Sequence, residues 1–348
     1  MDELLRGRGA QLKLNNRFSK QTYSDDYFDF TLSDSNRTAY TEVFPKTILN
    51  KILQADMPMD YSMNPYQGCE HGCIYCYART THEYWGYGAG LDFERKIMVK
   101  KTAPDLLRKA FMAKKWKAAS IMLSGNTDCY QPMERELGIT RRLLEVFNEF
   151  GNPVGILTKN SLIERDLDLL QQLNERQLVK VSMSVTTLND ELRRKMEPRT
   201  SSAARKLKTI ERLKKAGIPI SIIIGPVIPG LNLDEIPDII RETAKAGAEG
   251  AGYTNVRLNG PIAPLFEDWL EHNFPDRKDK VLNQIREVNK GVLGLEQGSG
   301  VPNTGGEIHS LIHQLFELNK KKYIKPVDRP FNYKAFSRPG QQISLDFD

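Results

Sequence analysis

Cysteine is scarce in this sequence: four residues in 348, three of them within eight positions. A disulfide framework spreads its cysteines along the chain. The crowding here therefore excludes a stapled secreted domain and points to a metal site in a reducing compartment. Long apolar runs are also missing, and nothing approaches the ~20 residues that span a bilayer. The first residues, MDELLRGRGA, lack the apolar stretch of a secretory leader. These absences predict a cytoplasmic protein with no membrane partner. Internal repeats and low-complexity blocks are absent as well. What is present is a hydrophobic content of 40%, enough for a sizeable core. The length suits one large α/β domain with additions or two modest domains. A net charge of +6 permits an anionic partner without requiring one. Nothing in the composition sets an oligomeric state.

Residues 1–60 read as an N-terminal arm. Apolar periodicity is weak there, and polar and aromatic residues mix in TYSDDYFDFTLSDSN. Arg6, Arg8, Lys13, Arg17 and Lys20 make its start basic. This is the pattern of a solvated tail or of a strap across a larger body, in preference to a nucleic-acid arm. From residue 61 the pattern changes to short apolar runs alternating with amphipathic stretches. Strands are expected at 61–66, 120–125, 153–158, 178–186, 218–225 and 250–258. Between them Leu137, Leu144, Phe147 and Phe150 share a helical face, as do Leu167, Leu170 and Leu173. Leu207, Ile210 and Leu213 repeat the theme, as do Ile236, Ile239 and Ile240. A helix over 202–216 would end at Gly217. Strand–helix alternation implies parallel pairing. Six units predict a partial (β/α)6 TIM-type barrel over 61–258, an α/β fold. Residues 259–348 read as a C-terminal helical extension and tail, with helices near 264–272, 277–289 and 308–322 and an extended segment around FSRPGQQISLDF.

The cysteines lie in NPYQGCEHGCIYCYARTTHEYWG, where Cys69, Cys73 and Cys76 have the spacing C-x3-C-x2-C. Three thiolates can bind three irons of a [4Fe–4S] cubane and leave the fourth iron open. An open iron can chelate the amino and carboxylate groups of S-adenosylmethionine. Gly68 and Gly72 let the loop fold tightly. The same cysteines fit structural zinc, with Cys129 or His71 as fourth ligand. The loop follows the first strand of a βα series, where a barrel places its active site.

This motif after a first barrel strand resembles the radical S-adenosylmethionine superfamily. The longer string CEHGCIYCYARTT is similar to the spore photolyase-like branch, the DNA repair photolyase-like proteins. There a Tyr-Cys-Tyr triplet and a downstream Thr-Thr pair also surround the last cysteine. The likeness runs over residues 60–260. It implies a [4Fe–4S] cluster on Cys69, Cys73 and Cys76, S-adenosylmethionine, and an electron donor such as flavodoxin or ferredoxin. Ser124, Gly125 and Asn126, in SGNTDCYQP, correspond to the family's turn facing the methionine amino group. Lys159, in ILTKN, would pair with the methionine carboxylate. Ser184 would also reach that carboxylate, and Thr186 the ribose. Arg199, in MEPRTS, would serve the carboxylate or a substrate anion. The IIIGPVIPG segment would lie near the adenine. Independently of the family, Cys69 to Cys76, Gly125, Lys159, Ser184 and Pro226 fall at the C-terminal ends of expected strands, which a parallel barrel gathers on one face.

The same resemblance gives Cys129, Tyr75 and Tyr77 a catalytic role, returning a hydrogen atom to a substrate radical. The alternative is a buried inert cysteine and two packing tyrosines. His71 and His82 read as structural or as hydrogen-bonding neighbours of the cluster. Two basic stretches could meet nucleic acid. The helical face of Arg205, Lys208, Arg212 and Lys215 reads first as a solvated surface. KKKYIKPVDRPFNYKAFSR interleaves aromatics with cations, which suits base stacking or docking of the tail. The expected function is radical chemistry on a damaged or modified nucleic-acid base. Radical modification of a protein or small molecule, and a non-enzymatic metal-binding interaction protein, are the alternatives.

Overall fold

The computed structural model describes residues 5–18, 37–53, 59–295 and 304–340. Its strands are β1 (Ala39–Glu42), β2 (Asn50–Lys51), β3 (Tyr61–Met63), β4 (Tyr66–Gln67), β5 (Lys96–Val99), β6 (Ile121–Leu123), β7 (Val154–Thr158), β8 (Val179–Ser184), β9 (Ile220–Val227) and β10 (Gly250–Asn255). The larger sheet has the order β10-β9-β8-β7-β6-β3-β2. Its six strands from β3 to β10 pair in parallel, as in Ile156 beside Val181 and Met183 beside Ile222. β2 closes the other edge antiparallel to β3. No pairing joins β10 to β2 or β3 among the described residues, so this is the expected partial barrel of α/β class.

Helices cross between successive strands because apolar residues recur on one face. Ile139–Phe150 buries Ile139, Leu143, Leu144, Phe147 and Phe150. Leu137 does not share that face, as the spacing had suggested. It ends a separate turn, Glu134–Leu137, closed by Gly138 at φ +61°. The helices Leu167–Glu175, Ala203–Lys215 and Ile236–Ala246 follow the same rule. Beneath them lies a continuous core of Ile, Leu, Val and Phe.

The expected strand 61–66 is split. Pro65 has no amide to continue the ladder. The chain leaves β3 before it and re-enters as β4 in a second sheet, of order β1-β5-β4. β4 and β5 are antiparallel and bracket the cysteine loop. β1 and β2 fall where only an irregular arm was expected. Every residue of both strands is exposed, so no apolar alternation marks them.

The C-terminal helices are Ile262–Asn273, Lys278–Val288 and Gly306–Tyr323. The last buries Ile312 and Phe316, and the Phe316 ring lies 4.6 Å from that of Tyr253 on β10. The aromatic tail docks. Phe336 packs on Phe111 and Phe150, Lys180 lies over Phe331, and Arg338 donates to the carbonyls of Phe111, Ala113 and Trp116. Its final residues, 341–348, lie outside the described residues, as does all of TYSDDYFDFTLSDSN. No helix among the described residues is long and apolar enough to cross a membrane.

Candidate active site at the cysteine loop

Two backbone turns shape the loop. Gly68 and Gly72 have φ of +81° and +66°, the left-handed region where a side chain is disfavoured. Inside the loop the Arg79 guanidinium is fully buried. It donates from Nε to the Cys73 carbonyl (3.0 Å) and from Nη2 to the Gly72 carbonyl (3.3 Å), and pairs with the buried Glu94 carboxylate at 2.5 Å. Glu94 in turn accepts the amides of Gly9 (3.1 Å) and Ala10 (2.9 Å). Gly9 sits so close that a Cβ there would overlap the Gly72 carbonyl oxygen. The described start of the chain is therefore a strap seated on the cysteine loop. Glu70 braces the other side. It accepts from the Tyr40 hydroxyl and the Met133 amide, both at 2.9 Å, and donates its own amide to Gln131.

Cys69 and Cys73 are buried and Cys76 is half-buried. Cys76 packs against the apolar groups containing each of the other two. Burial, then the neighbouring Cys69, pushes the Cys76 thiol up to about 11, with Arg79 opposing. Burial and Glu197 raise Cys73 well above its ordinary value. A bound cation favours the thiolate forms of Cys73 and Cys76 against this burial.

The strand ends face this loop. Lys159, after β7, donates from Nζ to Ser184 Oγ (2.6 Å), Thr186 Oγ1 (3.0 Å) and the Gly225 carbonyl (3.0 Å). It also pairs with Glu197 Oε1 at 2.9 Å and lies 5.6 Å from the centre of the Tyr75 ring. Burial lowers Lys159 but Glu197 and Cys73 outweigh it, holding the ammonium above its usual value. Glu197, fully buried, is held well below the carboxylate range against its burial by Lys159 and Lys206. It also accepts from the hydroxyls of Tyr75, Thr186 and Thr200. After β6, Ser124 adopts φ +74° and the Gly125 carbonyl accepts from the Tyr77 hydroxyl. Asn126 donates its amide to Asn64 (2.8 Å) and its side chain to Thr81 (3.1 Å). The Ser124–Asn126 turn thus touches the cysteine loop.

Not every expected residue joins this cluster. Cys129 lies in the main core, with its amide donated to Ser124 Oγ and its thiol within reach of Ser124 and Thr140. No hydrogen bond links it to Tyr75 or Tyr77, which are engaged by Glu197 and Gly125. Arg199 ties the strap to the loop, donating to the Gly7 carbonyl (3.1 Å) and pairing with Glu70 (3.4 Å). His71 faces Asp128 through Nδ1 (3.3 Å) and Asn160 through Nε2 (3.1 Å), so both ring nitrogens are occupied. His82 is buried between Tyr87 and Phe93, away from ligand duty. On the basic helix, Arg205 and Arg212 pair with Glu164, and Lys214 with Glu249.

Five site residues were missed: Arg79, Glu94, Asp128, Glu197 and Lys206. Asp128 accepts from Thr158 Oγ1 and the Lys159 amide, both at 2.8 Å, and so sets the end of β7. Lys206 carried a signal that could have found it. It stands one turn after Ala203 and one before Ile210, on the buried face of its helix.

Three thiols after the first strand of a parallel sheet, with a cation and hydroxyls at the neighbouring strand ends, could hold an iron–sulfur cluster beside a carboxylate-bearing ligand. The family model of the radical SAM superfamily matches residues 63–243, and the chain belongs to that superfamily. Its cofactors are a [4Fe–4S] cluster and S-adenosylmethionine. A Mycobacterium tuberculosis protein described as uncharacterized is 32% identical over 240 residues, covering 68% of this chain and 71% of that protein. The radical SAM Nalpha-GlyT isomerase of Pseudomonas phage M6 is 28% identical over 229 residues, covering 65% of this chain and 45% of the isomerase. Among solved structures, a spore photoproduct lyase variant with bound AdoMet and dinucleoside spore photoproduct superimposes with a TM-score of 0.60 at 14% identity, over 84% of this chain and 82% of the lyase.

The donor set fits the cluster better than a single ion. Zinc draws its ligands to about 2.0–2.3 Å from one centre. Among the described residues no group of three or more His, Cys, Asp or Glu converges in that way. Cys129 and His71, the two candidates for a fourth zinc ligand, are committed elsewhere. A cubane takes each thiolate on a different iron and needs only the three.

Proposed function

We propose that this protein is a radical S-adenosylmethionine enzyme that abstracts hydrogen from a base in nucleic acid, with Cys69, Cys73 and Cys76 as the cluster ligands. The observation that carries the reading is Lys159, half-buried at a strand end beside the cysteine loop and ringed by Ser184, Thr186 and Gly225. When bound, the cluster supplies the electron that cleaves S-adenosylmethionine to the hydrogen-abstracting 5′-deoxyadenosyl radical. Lys159 and Ser184 hold the methionine carboxylate, and Thr186 lies toward the ribose. The Ser124–Asn126 turn offers carbonyls to the amino group, since the segment has no acidic side chain for it. Arg79 and Glu94 keep the loop rigid, and the strap of residues 8–10 excludes water from its outer side. Tyr75, bonded to Glu197, is a positioning group. Tyr77 keeps much of its ring exposed at the mouth, within the cysteine loop. Electrons come from a donor of the flavodoxin or ferredoxin type.

The base substrate is supported by likeness in fold to spore photoproduct lyase, whose structure holds a dinucleoside spore photoproduct. Exposed aromatic rings just beyond the loop, Tyr84 and Trp85, with Phe18 stacked on Tyr84 and Arg17 beside it, suit stacking on bases. The test is anaerobic reconstitution, then assay of 5′-deoxyadenosine with and without ultraviolet-damaged or base-modified DNA. Stimulation by the DNA with an altered base as product supports the reading. Iron and sulfide uptake with cleavage that no nucleic acid affects moves the substrate to a protein or small molecule.

A further inference from the structure

One buried cation has no part in the function so far. Lys206 is 1% exposed, on the inward face of the helix Ala203–Lys215, and its Nζ lies 3.3 Å from Glu197 Oε2. An inward lysine is costly unless its charge is answered. Glu197 answers it, yet Glu197 is also the partner of Lys159, through its other oxygen at 2.9 Å. Burial lowers the Lys206 ammonium and Glu197 opposes that loss; with all three groups ionised, two lysines on one carboxylate leave one net positive charge.

That arithmetic matters for Lys159. Its ammonium has three protons, and four acceptors already surround it: Glu197, Ser184, Thr186 and the Gly225 carbonyl. A ligand carboxylate arriving there competes mainly with Glu197, the one charged acceptor of the four. Were Lys159 the sole counter-charge of Glu197, the two would form a neutral buried pair. An incoming carboxylate would then face the repulsion of Glu197 at short range. With Lys206 on the second oxygen, Glu197 stays neutralised and Lys159 keeps its charge to offer.

We propose that Lys206 is a positioning residue that makes Lys159 available to the carboxylate of S-adenosylmethionine, by holding the charge of Glu197 from the opposite side. The proposal rests on the reading that Lys159 binds that carboxylate. Lys206 acts through Glu197, the carboxylate its ammonium pairs with.

The experiment is equilibrium binding of S-adenosylmethionine to anaerobically reconstituted full-length protein. Iron content and the electron paramagnetic resonance spectrum of the reduced cluster, before and after ligand, are recorded alongside. Lys206→Met should keep the iron and weaken binding about tenfold or more, the scale of one charge-assisted bond. Adding Glu197→Gln to it should restore binding to within about threefold of wild type, since Lys159 then has no charged competitor. Lys206→Arg, which keeps the charge, should stay close to wild type. Wild-type affinity in Lys206→Met overturns the proposal. So does a double variant as weak as Lys206→Met with its iron intact, the mark of a packing role alone. If Lys206→Met takes up no iron, the double variant and Lys206→Arg decide by the same criteria, and loss of affinity in both overturns it. Lys159→Met separates the two readings. Wild-type affinity there removes the carboxylate assignment itself, whereas loss of affinity there with none in Lys206→Met removes only the role of Lys206.

Discussion

At the scale of single residues, the four cysteines separate by their surroundings. Cys69, Cys73 and Cys76 share one loop, and Cys76 packs against the apolar groups that contain the other two. Replacing any one by alanine should abolish the cluster's visible absorption after anaerobic reconstitution, because an iron is left without its protein ligand. Cys129 stands among Tyr66, Tyr130 and Ile139 in the main core, with its amide bonded to Ser124 and its carbonyl to Thr140. Cys129→Ala should keep full iron content and 5′-deoxyadenosine formation while lowering stability by about 1–2 kcal/mol, read by denaturant unfolding of the apoprotein. Loss of product with cleavage retained would instead restore its role as hydrogen donor. Sequence alone placed Cys129 in a loop after a strand and could not say which way that loop turns. The bond from its amide to Ser124 and the burial of both residues decide it.

At the scale of elements, the cysteine loop is held from both sides by segments distant in the chain. Arg79 fills its interior, Glu94 links Arg79 to the amides of Gly9 and Ala10, and Arg8 donates to the Glu94 carbonyl at 2.8 Å. A buried carboxylate with these partners is stable only while they all remain. Gly9→Ala would drive a methyl group into the Gly72 carbonyl and lift the strap. Its expected cost is about 2 kcal/mol or more, seen as a lower melting temperature, together with faster bleaching of the reconstituted cluster in air. A variant with wild-type melting and bleaching would show that the strap does not guard the loop. The sequence suggested a solvated tail or a strap, but not which part of the body a strap would cover. Apart from Arg8, its contacts run through backbone amides and one glycine, and backbone amides leave no mark in composition.

At the scale of the whole molecule, an open parallel sheet leaves β10 at an edge that something must cover. The helix Gly306–Tyr323 lies there, with Phe316 against Tyr253 and Ile312 buried beside it. Phe316→Ala should cost about 3–5 kcal/mol of stability in urea titration, by the cavity it leaves. Iron uptake by the folded fraction should be unchanged, since the cysteine loop lies with other strands. A loss of iron in step with stability would mean that the edge and the loop unfold as one unit. The docked tail belongs to the same scale. Phe336 packs on Phe111 and Phe150 and Lys180 lies over Phe331, the docking arrangement of the two weighed from the sequence.

The sequence by itself determined the order of the six parallel strands and their crossover helices, and the three cysteines in the loop after the first of those strands. Each is written in short-range spacing: apolar residues at a period of two or 3.6, and thiols three or four positions apart. It also placed Lys159 and Ser184 at strand ends, which parallel pairing then had to bring together. Only the tertiary structure decided which charges share a site. Glu197 between Lys159 and Lys206, Glu94 between Arg79 and the strap, and Asp128 beside His71 join residues from separate segments. No periodicity encodes such pairs. Buried ions must find partners wherever the packed chain places them, and that placement follows from the core as a whole.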